Sequence, residues 1–372
     1  MSADIKNSKK NPVKRIILAA GGTGGHLFPA LSVAKALQQQ GGFEVALFTD
    51  QRGLSYAAGQ DQIKRKLILS GGIAGLRLLE KLLNFVKLKL GTFQCLLFFI
   101  ANRPRAVVGF GGYPSLPPLI AAKVLGIPTL LHEQNSSLGG TNRIMARFVD
   151  QVAISFDQTS GLPALRKAVT LTGNPVRAEF TALPAYQPPK SNQSFKMLIF
   201  GGSQGAAFFA KTLLEALCLL PLEKRLRLDL SIQLRPEDIA TSKAVLEQAQ
   251  IKATVRPFFD DMPQQFTKAH LIICRSGASS IAEIAAAGRP AGFIPFPYAI
   301  DNHQHKNALS LSEQQAGWLW AQENTTCQDY CTKIEHLMDN PDELAQAAMN
   351  ASASGLHKDA PQLLGQLITS LI

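Results

Sequence analysis

Three glycine-rich segments in this sequence each follow a short apolar run, an arrangement that can bind phosphate. The first two are Gly21–His26, which follows Val13–Ala20, and Gly201–Ala206, which follows Phe195–Phe200; a third is Gly109–Ser115. A buried strand, a glycine turn and a helix start together direct backbone N–H groups and the positive end of a helix dipole at an anion. Glycine turns also allow a helix to pack closely on a sheet, and this alternative stays open for each segment taken alone.

A fourth segment, Arg275–Glu283, combines a glycine turn with serines and a carboxylate. Gly277 permits the turn, and the N–H groups of the next three residues would face a diphosphate at a helix N-terminus. Glu283 lies one turn further along, where a carboxylate can accept hydrogen bonds from the vicinal hydroxyls of a ribose. The alternative is a capping box around Ser279 or Ser280, with Glu283 as the partner.

The acidic residues and cysteines do not form a metal-binding pattern. No two aspartates stand two residues apart, so the sequence lacks the Asp-x-Asp pair that holds a nucleotide-sugar diphosphate through a divalent cation. Asp260 and Asp261 are predicted to cap a helix that begins near Met262. Cys327 and Cys331 have no second pair at zinc spacing. We therefore expect no metal and no cofactor, with a departing diphosphate stabilised by loop N–H groups and helix dipoles.

Strand and helix patterns alternate along the 372 residues, which predicts parallel sheets with helices on both faces. The length exceeds one α/β core, so we expect an α/β protein with two Rossmann-like domains that face each other across a cleft. The predicted strands are Val13–Ala20, Glu44–Thr49, Ala106–Gly109, Thr129–His132, Gln151–Ile154, Ala168–Leu171, Phe195–Phe200, Arg227–Gln233, Ala253–Arg256, Leu271–Cys274 and Ala291–Ile294. The predicted helices of the first half are Pro29–Gln40, Leu76–Leu90, Leu116–Leu125 and Gly140–Arg147.

The same patterns predict the division of the chain. A first domain is expected at 1–182, a proline-rich linker at 183–194 and a second domain at 195–358. The amphipathic C-terminal stretch 359–372 is expected to form a helix that packs back on the first domain.

Positive charge is concentrated in the first half of the chain. Residues 1–180 hold 22 Lys and Arg against 9 Asp and Glu, whereas residues 181–372 hold 16 against 18. This excess indicates an anionic partner surface, either a nucleic acid or a membrane leaflet. We find no nucleic-acid motif and expect no nucleic-acid partner.

The segment Leu76–Leu90 is predicted to form an amphipathic basic helix, which is either an ordinary solvated helix or a contact for an anionic membrane surface. The apolar run Leu90–Ala101 is too short to span a bilayer.

An ordered series of motifs from Val13 to the C-terminus resembles the MurG family of peptidoglycan N-acetylglucosaminyltransferases, which belong to the GT-B class. The matching segments are Gly21–Ala30, Gly109–Pro118, Gly126–Arg143, Gly173–Arg177, Gly201–Ala206, Phe258–Met262, Cys274–Pro290 and Asp301–Ala308. The resemblance implies transfer of N-acetylglucosamine from UDP-GlcNAc to the 4-hydroxyl of the N-acetylmuramoyl-pentapeptide of undecaprenyl-linked lipid I, giving lipid II and UDP. It also implies a peripheral enzyme on the cytoplasmic side of the bacterial inner membrane, with other cell-wall synthesis proteins as candidate partners.

The same resemblance assigns substrate contacts residue by residue. The assigned residues are Thr23, Gly24, Gly25, Asn135, Arg177, Ser203, Phe259, Ala278, Ser279, Ser280, Ile281, Ala282, Glu283 and Gln304. It implies that Ser203 and Ala278–Ser280 lie with the phosphates, that the backbone of Phe259 reads uracil, that Glu283 binds ribose, and that Gln304 binds the sugar.

The implied linkages, an α-linked donor and a β-linked product, require inversion by one in-line displacement. Such a displacement needs a base for the acceptor hydroxyl and stabilisation of the departing UDP. His26, which closes the first glycine segment, is the first candidate for this catalytic base, and a structural histidine at a helix start is the alternative. Glu133 is the second candidate, and the alternative for it is to position loops.

Three other functions remain open at the level of sequence. One is another GT-B nucleotide-sugar enzyme, such as a 2-epimerase or a glycolipid synthase, which the segments Gly111–Ser115 and His132–Asn135 disfavour. A second is a dinucleotide-dependent dehydrogenase, which is disfavoured because Leu27 stands where the third fingerprint glycine would be. The third is a non-catalytic membrane protein that binds a nucleotide sugar.

Overall fold

The computed structural model describes residues 14–56, 63–72, 77–164, 168–190, 193–201, 207–354 and 358–372. Within these ranges the strands form two sheets. The first sheet contains β1 (Lys14–Ala19), β2 (Phe43–Thr49), β3 (Lys64–Leu67), β4 (Ala106–Gly109), β5 (Thr129–Glu133), β6 (Gln151–Ile154) and β7 (Val169–Leu171). The second contains β8 (Phe195–Phe200), β9 (Leu228–Gln233), β10 (Lys252–Arg256), β11 (Leu271–Cys274), β12 (Ala291–Phe293) and β13 (Trp318–Leu319).

The strand orders are those of two doubly wound units. They are β3-β2-β1-β4-β5-β6-β7 in the first sheet and β10-β9-β8-β11-β12-β13 in the second, and all pairs are parallel. This confirms the predicted α/β class with two Rossmann-like domains. In each sheet the chain reverses direction of winding beside the first strand, which is where such folds bind ligands.

Helices connect the strands on both faces of each sheet. In the first half they are α1 (Gly24–Gln40), α2 (Gln51–Tyr56), α3 (Leu78–Ala101), α4 (Leu116–Val124), α5 (Gly140–Met145) and α6 (Ala178–Thr181). The second half has a π-helical turn (Phe209–Leu213), then α7 (Leu214–Cys218), α8 (Leu222–Arg227), α9 (Pro236–Gln248), α10 (Met262–Lys268), α11 (Ala278–Ala287), α12 (His303–Ser312), α13 (Cys327–Asp339), α14 (Pro341–Ala353) and α15 (Ala360–Ser370). Short 3₁₀ turns occur at Tyr113–Ser115 and Ile300–Asn302.

The largest differences from the sequence prediction concern two strands and the ends of two helices. β3 has the sequence KRKL and no apolar pattern, and it forms the edge of the sheet because it pairs with β2. β13 is a two-residue edge strand. α1 begins at Gly24, ahead of the predicted Pro29, because glycines hide the start of the helical pattern. α3 continues to Ala101, past the predicted end at Leu90.

α3 joins the basic amphipathic stretch and the apolar run after it into one helix. Cys95 and Phe99 are buried in the core of the first sheet, and a Cβ on Gly91 would lie 2.0 Å from the carbonyl oxygen of Leu69. Within the described residues it is the one helix long and apolar enough to cross a membrane, judged by length and composition alone. It lies against the domain instead, because it connects β3 and β4 of the same sheet and one face is packed there.

Two hydrophobic cores contain segments that come from different predicted parts of the chain. Leu364 and Ile368 of α15 are buried in the cluster formed by β1, β2 and α1 of the first sheet. In contrast, Phe180 of α6 packs with residues of the second sheet, its ring 4.9 Å from that of Phe266. In the linker, Tyr186 donates to the carbonyl oxygen of His270 at 2.8 Å. The segment around residue 182 is therefore tied to the second unit.

Candidate active site

The first and third glycine segments interlock at the carboxyl ends of β1 and β4. Gly22 and Gly112 have φ values of +83° and +73°, which L side chains rarely adopt. A Cβ on Gly112 would lie 2.7 Å from the carbonyl oxygen of Gly21, and one on Gly111 would lie 3.2 Å from Cε1 of His26. Close packing therefore requires glycine in the third segment, and that segment supports the His26 ring.

The N-terminus of α1 opens toward the second unit. Its N-cap is Thr23, whose side chain is exposed and makes no capping hydrogen bond. The N–H groups of Gly24 and Gly25 precede the first intrahelical bonds and are left for another acceptor. A Cβ on Gly25 would lie 4.0 Å from Oγ of Ser279, so the starts of α1 and α11 face each other at short range.

The N-terminus of α11 has the features of a diphosphate site. Its N-cap is Gly277, and no side chain caps it. The N–H of Ile281 donates to the carbonyl oxygen of Gly277 at 3.0 Å, so the three preceding N–H groups have no intrahelical acceptor. Oγ of Ser276 and of Ser279 are buried without a hydrogen-bond partner in the described part of the chain. The capping-box alternative does not apply, because neither Ser279 nor Ser280 is the N-cap.

Glu283 is buried beside Arg177, which lies 106 residues earlier in the chain. Its Oε1 accepts from Nη2 of Arg177 at 2.9 Å and from Nε at 3.2 Å. The guanidinium lies 5.0 Å from the ring centre of Phe28 and 4.6 Å from that of Phe180. Burial raises the pKa of Glu283, and the charge of Arg177 opposes that rise. Two residues assigned to the donor are therefore held next to each other.

Glu133 is fully engaged with the loop that follows β5. One oxygen accepts from the backbone N–H of Asn135 at 2.9 Å and from its side-chain amide at 3.2 Å. The other accepts from the N–H of Gly139 at 3.0 Å and from Nδ2 of Asn142 at 2.7 Å. The residue is 1% exposed. This geometry favours the loop-positioning alternative, because four hydrogen bonds leave the carboxylate no access to an acceptor hydroxyl.

His26 lies in the first turn of α1 and contacts the loop after β5. Its Nδ1 is 2.7 Å from Oε1 of Gln134. The ring is partly exposed, whereas Gln134 is 1% exposed. Gln134 was not among the residues predicted from sequence, although it lies within the segment His132–Asn135 that the resemblance covered.

A second residue absent from the prediction, Asn307 on α12, connects the two units. Its Oδ1 accepts from the backbone N–H and from the hydroxyl of Ser136, each at 2.9 Å. Its Nδ2 donates to Oδ1 of Asn135 at 3.2 Å and to the carbonyl oxygen of Ser276 at 3.1 Å. Asn307 thereby joins the loop of the first unit to the turn before α11. Its position inside the motif Asp301–Ala308 was the available signal.

The remaining residues predicted to contact the substrate differ in burial and in hydrogen bonding. Gln304 lies in the first turn of α12, and its Oε1 accepts from the N–H of Phe296 at 2.9 Å. Phe259 has its side chain in the interior, 2% exposed, which leaves its backbone for contacts. The side chains of Ile281 and Ala282 are fully buried and pack in the core, which leaves only their backbone groups for the predicted contacts. Ser203 lies outside the described residues.

Potential metal ligands do not converge in the described part of the chain. No group of three or more His, Cys, Asp or Glu side chains there has the geometry to hold an ion. The site instead offers helix N-termini, glycine-loop amides and one arginine to an anionic ligand.

The chain belongs to glycosyltransferase family 28. The model of the N-terminal domain of that family matches residues 16–154, and the model of its C-terminal domain matches residues 196–363. These two matches correspond to the two sheets and include His26, Glu133 and the whole of α11.

Individual relatives agree with this membership. The chain is 42% identical to the UDP-N-acetylglucosamine–N-acetylmuramyl-(pentapeptide) pyrophosphoryl-undecaprenol N-acetylglucosamine transferase of Rhodospirillum rubrum, over 97% of this chain and 92% of that protein. It is 39% identical to the protein of the same name from Paramagnetospirillum magneticum, over 96% of both. The crystal structure of Acinetobacter baumannii MurG superposes with a TM-score of 0.73 at 32% identity and covers 96% of this chain and 99% of that one. A putative UDP-N-acetylglucosamine 2-epimerase of Listeria monocytogenes shares the fold alone, with a TM-score of 0.69 at 15% identity over 95% of this chain and 94% of that one.

Proposed function

We propose that this chain is an inverting, metal-independent N-acetylglucosaminyltransferase. It transfers N-acetylglucosamine from UDP-GlcNAc to the 4-hydroxyl of the N-acetylmuramoyl-pentapeptide of lipid I and releases lipid II and UDP. The names of relatives about 40% identical over nearly the full length support both substrates. The observation that carries the proposal is the α11 N-terminus, with free N–H groups and Glu283 one turn further, directly opposite the glycine segment that ends in His26.

The donor binds in this proposal at the junction of α1 and α11. The N–H groups of Ala278, Ser279 and Ser280 donate to the diphosphate oxygens, and Oγ of Ser279 gains there the partner that it lacks among the described residues. Glu283 accepts the ribose hydroxyls. Arg177 lies within reach of that carboxylate and would turn from it toward the phosphates, which a planar guanidinium binds well.

The chemical step then needs one base and one leaving-group site. His26 takes the proton of the acceptor 4-hydroxyl as its oxygen attacks C1 of the donor sugar, and the bond from C1 to the diphosphate breaks. The negative charge that develops on UDP is stabilised by the α11 dipole and its free N–H groups. Asn135 and Gln304 face the same space from the two units and are assigned to the sugar.

The first unit is proposed to bind the lipid-linked acceptor and the membrane. α3 carries an exposed apolar stripe along its whole length, with Leu79 at 69% and Ile100 at 68% exposure at its ends. The stripe contains Leu79, Leu82, Leu83, Val86, Leu90, Phe93, Leu97 and Ile100. Lys81, Lys87 and Lys89 are exposed beside it. An apolar stripe flanked by lysines suits the surface of an anionic leaflet, and we assign the enzyme to the cytoplasmic side of the inner membrane as a peripheral protein.

One experiment tests the reaction against its nearest rivals. The purified protein is incubated with UDP-GlcNAc, with or without a short-chain lipid I analogue, and the products are separated by chromatography. We expect UDP and disaccharide in equal amounts, and only when the acceptor is present. Conversion of UDP-GlcNAc to an epimer without acceptor would identify a 2-epimerase. Binding of UDP-GlcNAc with no turnover in either arm would identify a non-catalytic nucleotide-sugar protein.

A further inference from the structure

A line of hydrogen-bonded side chains leads from the interior of the first unit to His26. His132 on β5 is fully buried, and its Nε2 is 3.0 Å from the carbonyl oxygen of Gly173. Its Nδ1 is 2.9 Å from Nε2 of Gln134. Oε1 of Gln134 is in turn 2.7 Å from Nδ1 of His26. This arrangement restricts where each proton in the line can be.

The carbonyl partner of His132 determines which ring nitrogen carries the hydrogen. A carbonyl oxygen can only accept, so Nε2 of His132 must carry the hydrogen that it donates to Gly173. Burial lowers the pKa of His132 to about 4, so the ring is neutral near pH 7 and its Nδ1 carries no hydrogen. Nδ1 of His132 is therefore an acceptor.

The orientation of the Gln134 amide follows from the same reasoning. One end of that amide lies 2.9 Å from the bare Nδ1 of His132 and 3.1 Å from the carbonyl oxygen of the same residue. Both are acceptors, so this end must be the NH₂ group. The other end, the amide oxygen, faces His26 and can only accept. Nδ1 of His26 must therefore carry a hydrogen.

We propose that Gln134 is a positioning residue that holds His26 in the Nδ1–H tautomer, so that the lone pair on Nε2 is available to the acceptor hydroxyl. The inference rests on the proposed transfer reaction and deepens it. Within the described chain, no residue forms a hydrogen bond with Nε2 of His26. During the reaction the hydroxyl proton moves to Nε2, the acceptor oxygen bonds to C1, and UDP leaves with the electron pair of the broken bond. The Nδ1–H remains bonded to Gln134, whose amide dipole points its negative end at the new imidazolium.

The tautomer can be measured without any turnover. ¹⁵N-labelled protein is studied by the long-range ¹H–¹⁵N correlations of histidine rings near pH 7.5, where the two neutral tautomers give different patterns. The His26 signals are those lost in the His26→Gln variant. We expect the Nδ1–H pattern for His26 in the unmodified protein. The Nε2–H pattern would overturn the proposal whether or not the protein transfers sugar.

Two substitutions of Gln134 separate proton placement from general packing. Gln134→Leu removes the acceptor, so we expect His26 to shift toward the Nε2–H tautomer. We expect kcat to fall about 10- to 100-fold, by analogy with the groups that orient metal-binding histidines. The KM for UDP-GlcNAc should stay within twofold. Gln134→Glu keeps an acceptor opposite Nδ1 of His26 but loses the NH₂ group that donates to His132. It should keep a hydrogen on Nδ1 of His26 and a kcat between those of the parent and the leucine variant.

Gln94→Leu is the matched control. Like Gln134, Gln94 uses both ends of its amide: it accepts from the backbone N–H of Leu69 and donates to the carbonyl oxygen of Leu67, but it lies on α3. It should leave the tautomer and kcat unchanged. An unaltered tautomer and unaltered kcat in Gln134→Leu would overturn the proposal. A total absence of transfer in the unmodified protein, together with the Nδ1–H pattern, would instead refute the proposed function and leave the geometric assignment standing.

Discussion

Several side chains in the cleft have partners that a substrate would have to replace. Glu283 accepts from Arg177, and the ribose hydroxyls would compete for the same carboxylate oxygens. Asn135 has both amide groups engaged, with Glu133 on one side and Asn307 on the other. Because each bond is made before the donor arrives, substitutions at these positions change both stability and affinity, and their tests must measure the two separately.

Replacement of Glu283 tests the ribose contact. Glu283→Ala should weaken UDP binding by about 1.5–3 kcal/mol, the range for hydrogen bonds to charged groups, because the alanine offers the hydroxyls no acceptor. Isothermal calorimetry with UDP measures the effect. Glu223→Ala, which removes an exposed carboxylate on α8, is the control and should bind normally. Unchanged affinity in Glu283→Ala would remove this residue from the donor site.

Removal of the ion pair between Arg177 and Glu283 should destabilise the protein by an amount that depends on pH. Burial already raises the pKa of Glu283, and Arg177→Gln should raise that pKa further because the opposing charge is gone. A carboxyl group whose pKa is higher in the folded than in the unfolded protein lowers the free energy of unfolding at pH values above the folded-state pKa. This destabilisation is lost as the pH falls and the folded protein binds the proton. The Tm deficit of the variant should therefore be larger at pH 8 than at pH 5. A deficit that is constant with pH would contradict this account.

His26 is tested by its effect on the chemical step. His26→Ala should lower kcat about 10²–10⁴-fold with little change in UDP affinity, because general-base catalysis contributes that range and the ring has no assigned contact with the nucleotide. Steady-state kinetics with a short-chain acceptor gives kcat, and calorimetry gives the affinity. A near-normal kcat would mean that another group takes the proton.

Among the helices, α3 has two long faces with different surroundings. One packs Cys95 and Phe99 into the sheet, and the other exposes the apolar stripe to solvent. An exposed apolar stripe this long is uncommon on a soluble domain and indicates a surface that is covered during function. The cation of Lys89 lies 4.7 Å from the ring of Phe85, so basic and apolar groups share one face of the helix.

Vesicle binding tests that face. Two double variants should each sediment less with anionic liposomes and keep their affinity for UDP. Lys81→Glu with Lys87→Glu reverses the charge of two lysines, and Leu82→Gln with Phe93→Gln removes two apolar side chains that would insert into the membrane. Binding of the parent should be weak to neutral liposomes and be reversed by high salt. Leu222→Gln with Leu226→Gln, two exposed leucines of α8 in the second unit, is the control. Equal sedimentation of all variants would exclude α3 as the contact.

In the whole molecule, polar contacts join the two units. Asn307 binds Ser136 and Asn135, Lys306 donates to Oγ of Ser160 at 3.0 Å, and Arg143 pairs with Asp301. These contacts bring the start of α11 opposite the start of α1. Two helix N-termini then face one space, and their dipoles add at the proposed diphosphate site.

This arrangement predicts turnover without a divalent cation. Activity should persist in EDTA, because helix N-termini and Arg177 supply the positive field that a cation would otherwise provide. The assay is release of UDP with the short-chain acceptor, before and after extensive chelation. Loss of activity in EDTA that magnesium restores would show that the helix dipoles are insufficient.

The local sequence determined the strands that end in glycine turns and the helix start at Gly277. These features depend on residues close together in the chain: an apolar run, a residue that permits the turn, and the next helical segment. The motif series and its family also follow from the sequence, because the motifs are contiguous. The serines and Glu283 were recognisable as a site for the same reason.

Only the tertiary structure decided which partners the chemically active groups have. Glu133 became a loop anchor because Gly139 and Asn142 return to it, and Arg177 reached Glu283 because α6 packs on the second unit. β3 exists only through its pairing with β2, since its own side chains are mostly charged. The tautomer of His26 depends on Gly173 and Gln134, which are far from it in the chain. Such contacts arise from the folding of distant segments onto one another, and no local pattern encodes them.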